Sequence, residues 1–178
     1  VHWHPILFLL GIPRYSLVLW VKKSQKVPTA ASPLGHRISF AGSPLTGVLI
    51  DGNSGGNFQL TGSYDLDTTT NDAVAITDNT GANVSIGNLD IETTSGTGFK
   101  ATGGGNLTVN GTNNVITTTG TGVDMHTMNI SGQATFDSVD VSNGLTQGIK
   151  VENVTGAQVT VGSTAGAAGS GGSITTTN

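Results

Sequence analysis

Cysteine is absent from the 178 residues, which excludes a disulfide framework and any thiolate nucleophile or metal ligand. Aromatic residues make up 5% of the chain and charged residues 10%, too few for a broad globular core or a dense ionic face. All five prolines lie at or before Pro44, and no arginine follows Arg37. Long apolar runs are missing too. The most apolar stretch, PILFLLGIPRYSLVLWV, is split by Pro13 and Arg14, whereas a membrane span needs about 20 apolar residues with few or no charges. Its basic KKSQK sequence follows the apolar run, the reverse of a secretory signal. No membrane span is expected.

What is present is glycine, 27 residues of it, set in a threonine-, asparagine- and serine-rich background with a recurring order. An amide residue opens one strand of each unit: Asn57, Asn83, Asn106, Gln133 and Gln158, at steps of 26, 23, 27 and 25 residues. Each is preceded within two residues by glycine and followed by an apolar–x–apolar triplet, Phe58/Leu60, Val84/Ile86, Leu107/Val109, Ala134/Phe136 and Val159/Val161. Alternation at period two marks strands, and a fixed period between 20 and 50 residues marks a solenoid. A second triplet lies upstream in each unit (Val48/Ile50, Val74/Ile76, Phe99/Ala101, Val123/Met125, Ile149/Val151). A third lies downstream (Tyr64/Leu66, Leu89/Ile91, an indistinct one near Val115, and Val139/Val141). Three strands and three turns per period predict an all-β, single-stranded parallel β-helix of about five coils, each of roughly 25 residues. Disorder is the other reading of such a composition, but random low complexity would not keep the triplets in phase.

The helix is expected over residues 38–162, because Ile38 stands ten residues before Val48, the same distance as Leu89 before Phe99. Residues 1–37 read as a separate apolar and basic segment: a cap over the open coil, an export element, or a piece foreign to the module. The Gly/Ser/Thr-rich residues 163–178 read as the start of a further coil, with the chain cut from a longer array whose neighbouring repeats are its first partners. Charge divides along the same boundary. Five basic residues and no acid fall in residues 1–45, and two lysines against eleven acids in residues 46–178. An acidic repeat face argues against nucleic acid as a partner.

Three sets of side chains are singled out. The amides Asn57, Asn83, Asn106, Gln133 and Gln158 are suited to a stacked corner ladder. The outward first-strand positions Leu49, Ala75, Lys100, Asp124 and Lys150 form a column whose last three members read as a surface ion-pair row, worth at most about 1 kcal/mol per pair. The outward third-strand positions give Asp65, Asp90 and Asp140, with Asp67 and Glu92 alongside; stacked carboxylates are unfavourable, which makes them weak candidates for Ca²⁺. A solvated acidic face is the preferred reading, since the calcium-binding GGxGxDxUx nonapeptide is absent. No catalytic or cofactor-binding residue is assigned and no cofactor is expected. His126 has no partner histidine nearby, and Phe58, Tyr64, Phe99 and Phe136 read as core. The five Asn-x-Ser/Thr matches arise trivially from asparagine beside hydroxylated strands.

The stretches SGTGFKATGGGNLTVNGTNNVITTTGTGVDM (95–125) and NGLTQGIKVENVTG (143–156) resemble the β-strand-repeat, right-handed parallel β-helix segments of very large bacterial surface or secreted proteins, many of them adhesin-like. The resemblance covers residues 46–178. It implies a right-handed coil, an extracellular or cell-surface setting, and a non-enzymatic adhesive or scaffolding role with a host surface or carbohydrate as partner. Pectin-lyase-like enzymes share the β-helix, so a polysaccharide-binding or polysaccharide-cleaving protein is the alternative. Such lyases use an Arg or Lys base beside carboxylates, and here only Lys100, Asp124 and Lys150 offer that combination. A plain stalk or spacer is the third reading.

Overall fold

A computed structural model of the protein describes residues 4–6, 19–21, 38–40, 47–60, 62–142, 147–162 and 171–172. Strands β1 (His4–Ile6) and β2 (Leu19–Val21) pair antiparallel with each other. The rest of the segment 1–37 and most of the tail 163–178, Ile174 included, lie outside the described residues.

From β3 (Ile38–Phe40) onward every strand pairing is parallel and joins one coil to the next. The first coil holds β4 (Val48–Asp51), β5 (Gly56–Leu60) and β6 (Tyr64–Thr68). The second holds β7 (Val74–Thr77), β8 (Ala82–Gly87) and β9 (Leu89–Thr93). The third holds β10 (Phe99–Thr102), β11 (Asn106–Asn110) and β12 (Val115–Thr118). In the fourth are β13 (Val123–His126), β14 (Asn129–Phe136) and β15 (Ser138–Val141). A fifth begins with β16 (Ile149–Glu152), β17 (Thr155–Gly156) and β18 (Val159–Val161). Three sheets result, with orders β16-β13-β10-β7-β4, β17-β14-β11-β8-β5 and β15-β12-β9-β6-β3, and β18 also pairs with β14. Among the described residues four coils are complete and a fifth is entered. The tail continues the third face at Gly171, whose carbonyl accepts from the Val139 N–H at 3.1 Å.

Alternation explains the core. On the first face Val48, Val74, Phe99 and Val123 stack in register, as do Ile50, Ile76, Ala101 and Met125, and all eight are buried. Phe58, Val84 and Leu107 stack likewise on the second face. Phe99, stacked between Val74 and Val123, packs edge-on against Phe136 from the second face, ring centroids 5.2 Å apart, and both rings are fully buried. No coil buries such a strip alone, so stability resides in the contacts between coils.

The first corner has a fixed backbone rule. The residues after the first strands, Gly52, Asp78, Gly103, Thr127 and Asn153, all have positive φ, between 50° and 82°. Glycine, asparagine and aspartate tolerate that region, but Thr127 is β-branched and takes it at a cost.

Candidate functional site

The first-face charge column has the register read from the sequence: Leu49, Ala75, Lys100, Asp124 and Lys150 are directly opposed from coil to coil. The ion pairs run elsewhere. Lys100 Nζ lies 3.5 Å from Asp72 Oδ2, and Lys150 Nζ lies 3.3 Å from Glu152 Oε2. Asp124, between the two lysines, keeps a buried Oδ1 with no hydrogen-bond partner. His126 stands opposite Thr102 and Glu152 at the end of the same strand.

The amide ladder exists, with different members. Asn83 Nδ2 donates to Asn57 Oδ1, Asn106 Nδ2 to Asn83 Oδ1 and Asn129 Nδ2 to Asn106 Oδ1, each at 2.7 Å. Thr155 Oγ1 then donates to Asn129 Oδ1 at 3.3 Å. The fourth and fifth rungs are therefore Asn129 and Thr155, and Gln133 and Gln158 lie off the ladder. The cause is an irregularity in β14, where Leu107 pairs with Ile130 but Val109 with Ala134; Ser131, Gly132 and Gln133 occupy the room that Thr108 takes in the coil before. Asn57 and Asn83 are also exposed, so the ladder runs on the outer surface.

The third-face register is unbroken and divides the acidic set between two columns. Asp65 faces Asp90, followed by Val115 and Ser138. Asp140 belongs to the other column, with Asp67, Glu92 and Thr117. Among the described residues no three carboxylate or histidine side chains gather as a group able to hold a metal ion.

Polar groups that the sequence reading passed over lie inside. Asn53 and Asn79 are 2% and 1% exposed; Asn53 Nδ2 donates to Asn79 Oδ1 and Asn79 Nδ2 to the Ile50 carbonyl, both at 2.7 Å. Asn114, fully buried, donates to the carbonyls of Asn110 and Thr135 and accepts from the Leu89 N–H. Thr68, Thr93 and Thr118 form a buried column at the third corner, Thr118 Oγ1 donating to the Gly96 carbonyl at 3.2 Å. These groups satisfy turn backbone that would otherwise be orphaned. The signal for the first was present: Asn53 and Asn79 each lie one residue beyond a left-handed turn position, 26 residues apart.

One concavity lies at the second corner. β8 and β9 are joined there by Asn88 alone, whereas β5 ends at Leu60 with β6 starting at Tyr64, and β11 ends at Asn110 with β12 starting at Val115. The short turn between two longer ones leaves a notch of about 420 Å³. Ser63 lines one side and Thr112 and Asn113 the other, with Asn88, Asp65 and Asp90 between them. Tyr64 lies behind, 6% exposed, its hydroxyl accepting from the Gly62 N–H at 3.4 Å; burial pushes the phenol above its ordinary value of 10.0. Asn88 takes positive φ (54°), and its Oδ1 accepts from the Thr112 N–H at 3.3 Å.

No helix among the described residues is long and apolar enough to cross a membrane. Compared with known proteins, the chain matches no family model, no curated protein and no solved structure.

Proposed function

We propose that this chain is a non-enzymatic structural and adhesive segment of a large bacterial surface or secreted protein. The observation that carries the reading is the unbroken stack itself. Four complete coils pair in parallel through three sheets, and the outer amide ladder links Asn57, Asn83, Asn106, Asn129 and Thr155 without a missing rung. Such a solenoid is stiff along its axis and presents long, flat, hydroxyl- and amide-bearing faces. The one lysine–carboxylate set that the cleavage alternative needs supports the scaffold reading instead. Lys100 and Lys150 are each drawn to another acid, Asp72 before β7 and Glu152 on β16.

Two assays test this. Latex beads coated with the purified chain adhere to epithelial cells or to a glycan-coated surface, while beads coated with heat-unfolded chain do not. Incubation with polygalacturonate, xylan and alginate releases no unsaturated uronide or new reducing ends. Turnover lost in Lys100→Ala would overturn the reading in favour of an enzyme, and absence of adhesion would reduce the segment to a spacer.

A further inference from the structure

We propose that the second face binds a linear, uncharged polysaccharide laid along the solenoid axis; this rests on the adhesive reading and gives it a surface and a ligand class. The acids and lysines of residues 46–178 fall on the strands of the other two faces and on the corners. The second-face strands β5, β8, β11, β14, β17 and β18 contain no charged residue. Two outward columns cross this face. One is the amide ladder. The other runs through Gln59, Ser85 and Thr108 in register, and a 3.1 Å hydrogen bond between Thr108 Oγ1 and Ser131 Oγ carries it into coil four. Members of both columns are exposed or half-exposed. Val84 and Leu107, between the columns, point into the core, which leaves a shallow strip of backbone about 6.6 Å wide.

The rows suit a polymer of hydroxyls. Asn83 and Asn106 each donate one Nδ2 hydrogen to the coil before and accept at Oδ1 from the coil after. Each amide keeps a second N–H to donate and a second lone pair to accept, and the serine and threonine hydroxyls do both. These groups recur one ladder step apart, about 4.8 Å, close to the advance of one ring in an extended β-linked glycan. Because the rungs are tied to one another, they are set before a ligand arrives, and little side-chain freedom is lost on binding. The contact with any one ring is weak, so affinity accumulates as each further ring engages the next coil. Eleven acids against two lysines in residues 46–178 surround the face with negative charge. A uronate polymer is therefore repelled from rows that accept a neutral one, and salt screens that repulsion.

Calorimetric titration of the whole chain with the dimers and hexamers of cellulose and chitin, and with hexagalacturonate, tests the proposal. At least one neutral hexamer is expected to bind saturably, at least about tenfold tighter than its own dimer and equally well at low and high salt. Hexagalacturonate should bind at least about tenfold weaker at low salt. The double variant Ser85→Ile/Thr108→Ile removes two hydroxyls from the middle of the face with residues suited to strands, and should weaken the hexamer at least about tenfold. Thr117→Ile, exposed on the third face of coil three, leaves the affinity unchanged. Should the double variant not fold, Gln59→Leu at an exposed position decides, with a loss on the order of threefold. No binding by either neutral hexamer, equal affinity of dimer and hexamer, or hexagalacturonate bound as tightly would overturn the proposal. So would affinity retained by the second-face variants, or lost equally in Thr117→Ile. Bead adhesion separates the two ideas: adhesion retained by the double variant discards the second face but keeps the adhesive role, and no adhesion by the native chain discards that role.

Discussion

Gly87 lies buried at the end of β8, where a methyl group would stand 1.7 Å from the carbonyl oxygen of Asn110 in the next coil. Backbone cannot yield there without breaking the β8–β11 pairing, so Gly87→Ala is expected to cost about 3 kcal/mol or more. Gly52→Ala is the control: its φ is +69° but nothing lies within 4 Å, and the cost is about 1 kcal/mol. Chemical denaturation of the two variants measures the difference. Tyr64 gives a pH prediction. Its phenol is raised by burial, with the Gly62 N–H acting weakly in the other direction. The folded state therefore holds this proton more tightly than the unfolded state. The stability it contributes is intact below the unfolded value of 10.0 and is lost as pH rises through the folded value. As pH rises from about 9 through the folded value, the native chain should lose stability more steeply than Tyr64→Phe, read as melting temperature against pH.

At the scale of the corner and the strand, two kinds of amide must be told apart. Asn83 hydrogen-bonds above and below but is exposed, so water replaces what is lost and Asn83→Leu should cost no more than about 1 kcal/mol. Asn79 is 1% exposed and caps the Ile50 carbonyl, so Asn79→Leu strands buried polar groups and should cost about 1–3 kcal/mol more than Asn83→Leu. Thermal melts of the pair decide which ladder holds the coils together. The bulge in β14 belongs to this scale as well: it moves Gln133 off the column in which alternation had set it, while Asp140 stands two residues along an unbroken third-face register. A slip of two residues keeps every side chain on its original face, so a period-two pattern is blind to it.

For the molecule as a whole, strand pairing among the described residues of the solenoid joins each coil to its neighbours, and removal of one should leave the stack intact. Deleting residues 74–98 brings Phe99 to the position of Val74 above Val48, in the register both already share with Val74. The shortened chain is expected to keep a β-rich circular dichroism spectrum and to melt cooperatively at a lower temperature, because stability in a solenoid sums over coil interfaces. A chain that fails to fold after this deletion would show that coil two carries contacts beyond its two neighbours.

Inward and outward identity was legible in the sequence, since Val48/Ile50, Val74/Ile76 and Phe99/Ala101 announce it by simple alternation, and the period followed from the glycine and amide spacing. Those properties are local, set by strand pleat and turn stereochemistry. Which rung stacks on which was decided only when neighbouring coils paired. There a three-residue detour at Ser131–Gln133 and turns of unequal length around Asn88 changed the partners without changing the pattern. The notch, the buried Asn53–Asn79 pair and the isolation of Asp124 from both lysines all come from side chains of different coils meeting, and a single period of the chain contains none of them.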